Sequence, residues 1–259
     1  MCWRIVRIDG NGNIKIILQN DNSSGGTLTD CSDQTLGSPY LKENGIVQFK
    51  YNDLDSDNTY LGLKYNVANQ STYELTHAMN NNSILLTKLE TWYNSHLSGY
   101  ENALADIVWC NDLSCNEGNC TGNVTSKYQA YNRLNNDGPS FKCQDRATGN
   151  IGLYSLSTNV NGKKIGTITA DEAKYAGSVI SSASGTVKSY LSKAAYSTTW
   201  TLTPYEFEDS HAYMVAIAAS AKLSRIKTNS TANIRPMVAL KVDTKVHGNG
   251  TIMNPYVVE

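Results

Sequence analysis

An α+β fold, mostly antiparallel sheet with two principal helices and long disulfide-pinned loops, is what this sequence predicts. Three observations carry the prediction. Short alternating apolar runs bounded by turn residues recur along the chain, apolar residues keep helical spacing in only a few places, and six cysteines sit in or beside polar, turn-rich stretches. The 259 residues are enough for one large domain or two small ones. There is no internal repeat or low-complexity tract, and the stretch at about 110–165 reads as a loop-rich insertion, not a separate domain.

The elements follow in order. Trp3 to Ile8 alternates as a strand, Asp9-Gly10-Asn11-Gly12 tolerates positive φ, and Ile14-Lys15-Ile16-Ile17-Leu18 resumes the pattern, so a hairpin opens the chain. From Asn20 to Tyr51, Gly, Ser, Thr and Asp predict a long surface loop anchored by Cys31, with one strand at Ile46–Tyr51. Asn81, Asn82 and Ser83 are cap candidates for a helix in which Leu85, Leu89, Trp92 and His96 repeat at helical spacing, flanked by Leu86, Tyr93 and Leu97. That face is expected against the sheet.

A second short helix is expected over Glu101–Val108. Between Cys110 and Cys143 the chain is polar, and Asn161-Gly162 marks a turn between short strand-like pieces. Thr169-Ala170-Asp171-Glu172 is a capping box for a helix that stops at Gly177. Trp200–Thr203, Ala212–Ala218, Leu223–Thr228 and Ile234–Val242 read as four strands, and Tyr256-Val257-Val258 is expected to pair with the first strand.

Composition narrows the setting. Charged residues are only 17%, and 28 Asn and 16 Tyr, with Ser and Thr, fill the polar surface, which is the balance of a secreted protein. A formal charge of −1 supplies no basic field for phosphates, so nucleic acid is not expected as a partner. Cys2, Cys31, Cys110, Cys115, Cys120 and Cys143 form no Cys-x-x-Cys, and the Cys115–Cys120 spacing lacks the second close pair of a structural zinc site. Disulfides are the better reading. Fifteen pairings are open, and chain proximity favours Cys2 with Cys31, Cys110 with Cys143 and Cys115 with Cys120, each closure adding roughly 2 to 4 kcal/mol. An oxidising compartment follows. No apolar run approaches the roughly 20 residues of a membrane span, and Met1 leads into a strand rather than a signal peptide. The expectation is an ectodomain of a longer precursor whose export or anchoring segment lies outside this chain.

Candidate chemistry is sparse. Tyr205-Glu206-Phe207-Glu208-Asp209-Ser210-His211 places three carboxylates and an imidazole beside a Pro turn, enough for a divalent metal if the loop curls and otherwise a solvated acidic loop. Asp53-Leu54-Asp55-Ser56-Asp57-Asn58 has the odd-position acids of a calcium loop, but the missing sixth-position glycine, and Lys64 at the twelfth, exclude an EF-hand. Calcium is thus the one cofactor considered, in a looser site, and none is expected outright. No nucleophile elbow is present, and of the four histidines only His211 has acidic neighbours in sequence. Tyrosines in the loops, including Tyr128, Tyr131, Tyr154, Tyr190 and Tyr196, are candidates for a binding face, because Tyr offers contact area and a hydroxyl at little entropic cost.

Taken in order, Cys2-Trp3-Arg4-Ile5-Val6, Leu89-Glu90-Thr91-Trp92-Tyr93, Cys110-Asn111-Asp112, Thr169 to Gly177, Trp200 to Pro204, Ile234 to Leu240 and Asn254-Pro255-Tyr256 resemble a family of uncharacterised surface proteins of Gram-positive bacteria. The resemblance covers nearly the whole chain. That family is similar to the C-type-lectin-like superfold, shared with formylglycine-generating enzymes and the variable receptors of diversity-generating retroelements. The resemblance implies one domain with neighbouring termini, Trp200 and Arg235 as scaffold in a central sheet, and Arg235 satisfying buried carbonyls or a carboxylate. The calcium-site tripeptides Glu-Pro-Asn and Gln-Pro-Asp of sugar-binding lectins are missing, and Trp109-Cys110-Asn111-Asp112 approaches Trp-Asn-Asp only with a cysteine interposed. A formylglycine-type oxidase is not expected, since no cysteine follows Cys143.

The function expected is a non-catalytic extracellular recognition or adhesion module at a bacterial cell surface, binding a protein or glycan ligand through Tyr205, Glu206, Glu208, Asp209, His211, Tyr128 and Tyr131. Two alternatives stand beside it: a structural subunit or tip of a pilus-like appendage, whose partners are copies of itself, and a metal-dependent enzyme built on 206–211.

Overall fold

The computed structural model describes residues 1–25, 31, 37–116, 125–141, 164–181, 183, 187, 189–190 and 197–259. Asp9 organises its first turn: Oδ1 accepts from the backbone N–H of Asn11 and Asn13, both at 2.9 Å, Oδ2 accepts from Asn13 Nδ2 at 3.0 Å, and Gly12 takes φ +85°. An aspartate that closes its own turn in this way fixes hairpin register. Strands β1 (Cys2–Ile8) and β2 (Ile14–Asn20) therefore pair antiparallel across it, as the sequence predicts.

The remaining strands are β3 (Gln48–Lys50), β4 (Lys64–Tyr65), β5 (Asn81–Asn82), β6 (Ser126–Lys127), β7 (Val179–Ile180), β8 (Thr199–Glu208), β9 (His211–Ile217), β10 (Lys222–Lys227), β11 (Thr231–Asn233), β12 (Met237–Leu240), β13 (Val246–His247) and β14 (Val257–Val258). A three-stranded sheet runs β1-β2-β12, and a seven-stranded sheet runs β3-β11-β8-β9-β10-β7 with β6 paired to β8. Pairing is mostly antiparallel; β7 with β10 and β8 with β11 are the parallel exceptions. With few helices beside these sheets the fold is α+β.

Helices are short. Thr72 Oγ1 caps α1 (Tyr73–Thr76), and Ser83 Oγ accepts from Leu86 N at 3.1 Å to start α2 (Ile84–His96). A cap of this kind contributes roughly 0.5 to 2 kcal/mol. The α2 face of Leu85, Leu86, Leu89, Trp92 and Tyr93 is buried, and Trp92 meets Trp3 of β1 edge to face at 6.2 Å. Helix α3 (Gln129–Asn132) widens into a π turn over Arg133–Asp137. In α4 (Ala170–Tyr175) both arms of the capping box are made, Glu172 N–H to Thr169 Oγ1 and Thr169 N–H to Glu172 Oε2, each at 3.1 Å.

The core lies where the hairpin, α2 and β8 meet, around Trp109, Trp200, Tyr51, Tyr93, Tyr128 and Phe207. Strand β8 is buried along nearly its whole length, so its polar atoms find internal partners. Thr201 Oγ1 donates to Val215 O at 2.7 Å, Trp200 Nε1 to Phe49 O at 2.8 Å, and Thr203 Oγ1 accepts from Ala170 N at 2.8 Å. Pro204 has no N–H for the ladder, and the β8–β9 register shifts on either side of it. Arg235 donates from Nε to Leu18 O at 2.7 Å and from Nη2 to Gln19 Oε1 at 3.1 Å, the carbonyl-satisfying role the resemblance implies.

Several expectations fail. Glu101–Val108 is not a helix; beyond a 3₁₀ turn at Ser98–Tyr100 it runs irregularly, with Leu104 bridging Leu240 and Ala105 N–H donating to Ala239 O at 2.8 Å. Docking on the edge of β12 satisfies both backbones better than two isolated helical turns could. Strand β14 pairs with β13 and not with β1. A local hairpin closes a shorter loop than a return to the N-terminus, and β1 is flanked instead by Tyr190, whose hydroxyl donates to Val6 O at 3.1 Å. Trp200 and Met237–Leu240 occupy different sheets.

Cys2 and Cys31 form a disulfide with Cα atoms 5.7 Å apart, as chain proximity predicts. Cys110 and Cys115 are each in a disulfide as well. The expected pairings of Cys110 with Cys143 and of Cys115 with Cys120 fall partly outside the described residues, as do Tyr154, Tyr196 and the Asn161-Gly162 turn. From the 110–165 stretch, Leu113, Tyr128, Leu134 and Ile165 join the core.

Candidate functional site

The 206–211 stretch is strand and turn rather than a loop. Glu206 and Glu208 lie two apart on β8 and so project from one face, where Arg225 of β10 reaches both carboxylates, Glu208 at 2.5 Å. Arg225 also lies 4.5 Å over the ring of Tyr213. Glu206 is buried and its charge is met by this guanidinium, which is what a buried carboxylate requires. Asp209 and Ser210 form the two-residue turn, both with positive φ (50° and 61°), the backbone of a type I′ hairpin. His211 faces elsewhere: its Nδ1 lies 2.7 Å from Asp55 Oδ2.

The tyrosines separate as well. Tyr128 is fully buried, its hydroxyl 3.3 Å from Asn58 Oδ1 and 3.1 Å from His77 Nε2. Tyr205 and Tyr131 do meet, with ring centroids 5.0 Å apart; Asn135 Nδ2 donates to the Tyr205 hydroxyl at 3.0 Å, and Lys127 Nζ sits 4.5 Å over the Tyr131 ring. Burial pushes the Tyr205 phenol above its ordinary value of 10.0. The predicted set thus divides: Glu206 with Glu208 on Arg225, His211 with Asp55, Tyr131 with Tyr205, Tyr128 with Asn58 and His77, and Asp209 in the turn.

The calcium-loop candidates disperse too. Asp53 is 3.5 Å from Lys50, Asp55 takes His211, and Asp57 accepts from Thr59 N and Asn69 N. Asn111 is buried, packed against Gly62, with neither amide atom hydrogen-bonded among the described residues, and Asp112 is committed to Arg133 and Ser114 N. Among the described residues no three His, Cys, Asp or Glu side chains converge as metal ligands.

Two buried charge clusters stand out instead. Arg133 donates from Nε and Nη2 to Asp171 Oδ1 and Oδ2 (2.9 and 3.1 Å) and from Nη1 to Asp112 Oδ2 (2.7 Å). Burial works against its charge, yet Asp171 and Asp112 hold the guanidinium above its ordinary pKa. In the second cluster, Glu172 Oε1 accepts from Lys15 Nζ at 2.5 Å and Arg7 Nε at 2.8 Å. Burial alone would raise the Glu172 carboxyl, but Lys15 and Arg7 pull it below 4.5; burial lowers Lys15 despite Glu172. Lys15 Nζ also lies 4.9 Å over the Trp109 ring.

Above this second cluster opens a cleft of about 340 Å³, lined by Arg7, Asp9, Gly10, Asn11, Lys15, Asp106, Ile107, Val108 and Phe141. Sequence reasoning did not find it. Its wall joins the β1–β2 turn to residues roughly a hundred positions away, and the one local signal, Asp9-Gly10-Asn11-Gly12, predicts a turn and nothing about what faces it. Comparison with protein-family models, curated proteins and solved structures finds no match to this chain.

Proposed function

We propose that this chain is a non-catalytic extracellular recognition module of a bacterial cell-surface protein, carried on a C-type-lectin-like scaffold and meeting a protein or glycan ligand. The observation that carries the reading is how charge is used. Among the described residues, the acids and bases that come together in the interior are committed to ion pairs between elements, Glu206 and Glu208 on Arg225, Asp112 and Asp171 on Arg133, and Glu172 on Lys15 and Arg7. Such pairs fix geometry. Exposed contact groups remain around the cleft, where Asn11, Asp106, Val108 and Phe141 are open to solvent. The Cys2–Cys31 disulfide agrees with an oxidising, extracellular setting. Among the described residues no helix is long and apolar enough to cross a membrane.

The test is capture of ligand by the disulfide-intact protein from a glycan array and from extracts of host matrix and bacterial envelope. Saturable, competable binding to one class is expected; no retained ligand in any format overturns the proposal.

A second reading, a subunit of a surface appendage, is favoured by one observation. The β13–β14 hairpin exposes Val246, Ile252, Met253, Tyr256 and Val257 together, a grouping that elsewhere marks contact surfaces. Size-exclusion chromatography and electron microscopy decide it: ordered multimers support the appendage, and a monomer at all accessible concentrations removes it.

A further inference from the structure

The cleft beside the β1–β2 turn has a specific chemistry. Arg7 directs Nε to Glu172 and places Nη1 only 3.5 Å from Ile8 O, while Nη2 has no hydrogen bond among the described residues. Asp106 and Asn11 are exposed, and their side chains likewise make no hydrogen bond there. Phe141, 43% exposed, and Val108, 51% exposed, give the cleft an apolar side, with Arg7 over the Phe141 ring at 4.8 Å and Tyr175 against its edge at 5.0 Å.

The unspent groups are therefore a guanidinium donor, a carboxylate acceptor and an amide that is both, facing exposed apolar carbon. Arg7 and Lys15 are outnumbered by Glu172, Asp9 and Asp106, so the surroundings do not favour an anion; a cation would meet Arg7 at the mouth. Vicinal hydroxyls on a ring with an apolar C–H face match the set, since each hydroxyl donates and accepts at once. The volume, at the low end of the roughly 300 to 1,000 Å³ of small-molecule sites, admits one small ring.

We propose that this cleft is a subsite for a neutral pyranose residue, in which Arg7 and Asp106 grip adjacent hydroxyls, Asn11 closes on a third and Phe141 backs the ring. The assignment rests on the recognition reading above and names its ligand class.

Titration of the disulfide-intact protein with glucose, galactose, mannose and N-acetylglucosamine, and with their disaccharides, followed by amide chemical shifts, tests it. At least one neutral sugar is expected to bind with a dissociation constant on the order of 1 mM, shifting residues 7–11 and 106–108. Asp106→Ala and Phe141→Ala, both exposed positions, are expected to weaken it on the order of tenfold with unchanged circular dichroism. Glucuronate and inorganic phosphate are expected to bind more weakly than the neutral sugars.

No saturable shift with any neutral sugar overturns the assignment, as does tighter binding of glucuronate or phosphate, or equal binding by both variants. If both variants still capture the same array or extract ligand as the native protein, recognition stands and the cleft is the wrong place. If the native protein captures nothing, both proposals fall.

Discussion

Replacing Glu172 by glutamine separates its charge from its capping role. Gln serves the capping box as Glu does, so Glu172→Gln leaves the start of α4 intact and removes the counter-charge of Lys15. The pair is 2.5 Å apart with both side chains almost fully buried. At an effective dielectric of about 20, such a contact carries about 6 to 7 kcal/mol of gross attraction; after desolvation, breaking one side of a buried pair costs about 3 to 5 kcal/mol. Arg7 is partly exposed and reaches water when released, whereas Lys15 is stranded. The Lys15→Met, Glu172→Gln double variant, which strands no charge, should therefore be more stable than Glu172→Gln alone.

Urea unfolding under non-reducing conditions, read as a double-mutant cycle, measures both. Acid titration supplies a second readout. Because the folded-state pKa of Glu172 lies below its ordinary 4.5, its contribution is present above that value and is lost as pH falls through the folded pKa. The native protein should lose this increment and Glu172→Gln should not. A loss under about 1 kcal/mol in Glu172→Gln, or a double variant as unstable as the sum of its singles, refutes the account.

Alkaline titration should destabilise the fold above pH 10.0, because burial first, and Glu101 and Asp106 second, raise the folded Tyr93 phenol to about 12 while unfolded tyrosines ionise from 10.0; tyrosinate difference absorbance during urea unfolding follows it. Gly166→Ala would bring a Cβ to 2.5 Å from Cδ2 and Cε3 of the buried Trp109, and should cost about 1 to 3 kcal/mol in urea, with a change in tryptophan fluorescence. Removing the Cys2–Cys31 bridge, whose cysteines are 29 residues apart, by a double Ser substitution should lower stability by about 3.5 kcal/mol on chain-entropy grounds, measured by thermal unfolding.

What local chemistry governs was legible in the sequence. Asp9-Gly10-Asn11-Gly12 makes its hairpin, Ser83 and Thr169 cap the helices they precede, and β9 and β10 lie where alternation and turn residues put them, whereas β8 runs on through Pro204 to Glu208 where a turn and a loop were expected. The Cys2–Cys31 pair was legible because the shortest closure is also entropically the least demanding. Where a short segment's periodicity competes with a neighbour's open edge, the sequence misled: Leu104 and Ala105 take the edge of β12, and Val257 turns back on its own hairpin.

The candidate site was scarcely legible, since proximity in sequence is a poor guide to which charges meet. Glu206 and His211, five positions apart, are paired to different partners, whereas Lys15 and Glu172, far apart in the chain, form a buried ion pair whose lysine lines an open cleft. Strand alternation sends neighbouring side chains to opposite faces, and only packing the hairpin against α4 decides that Arg7 and Lys15 converge on one carboxylate. The sequence by itself determined the α+β elements, their caps and turns; the tertiary structure alone decided which charges are buried together and which contact groups are left facing solvent.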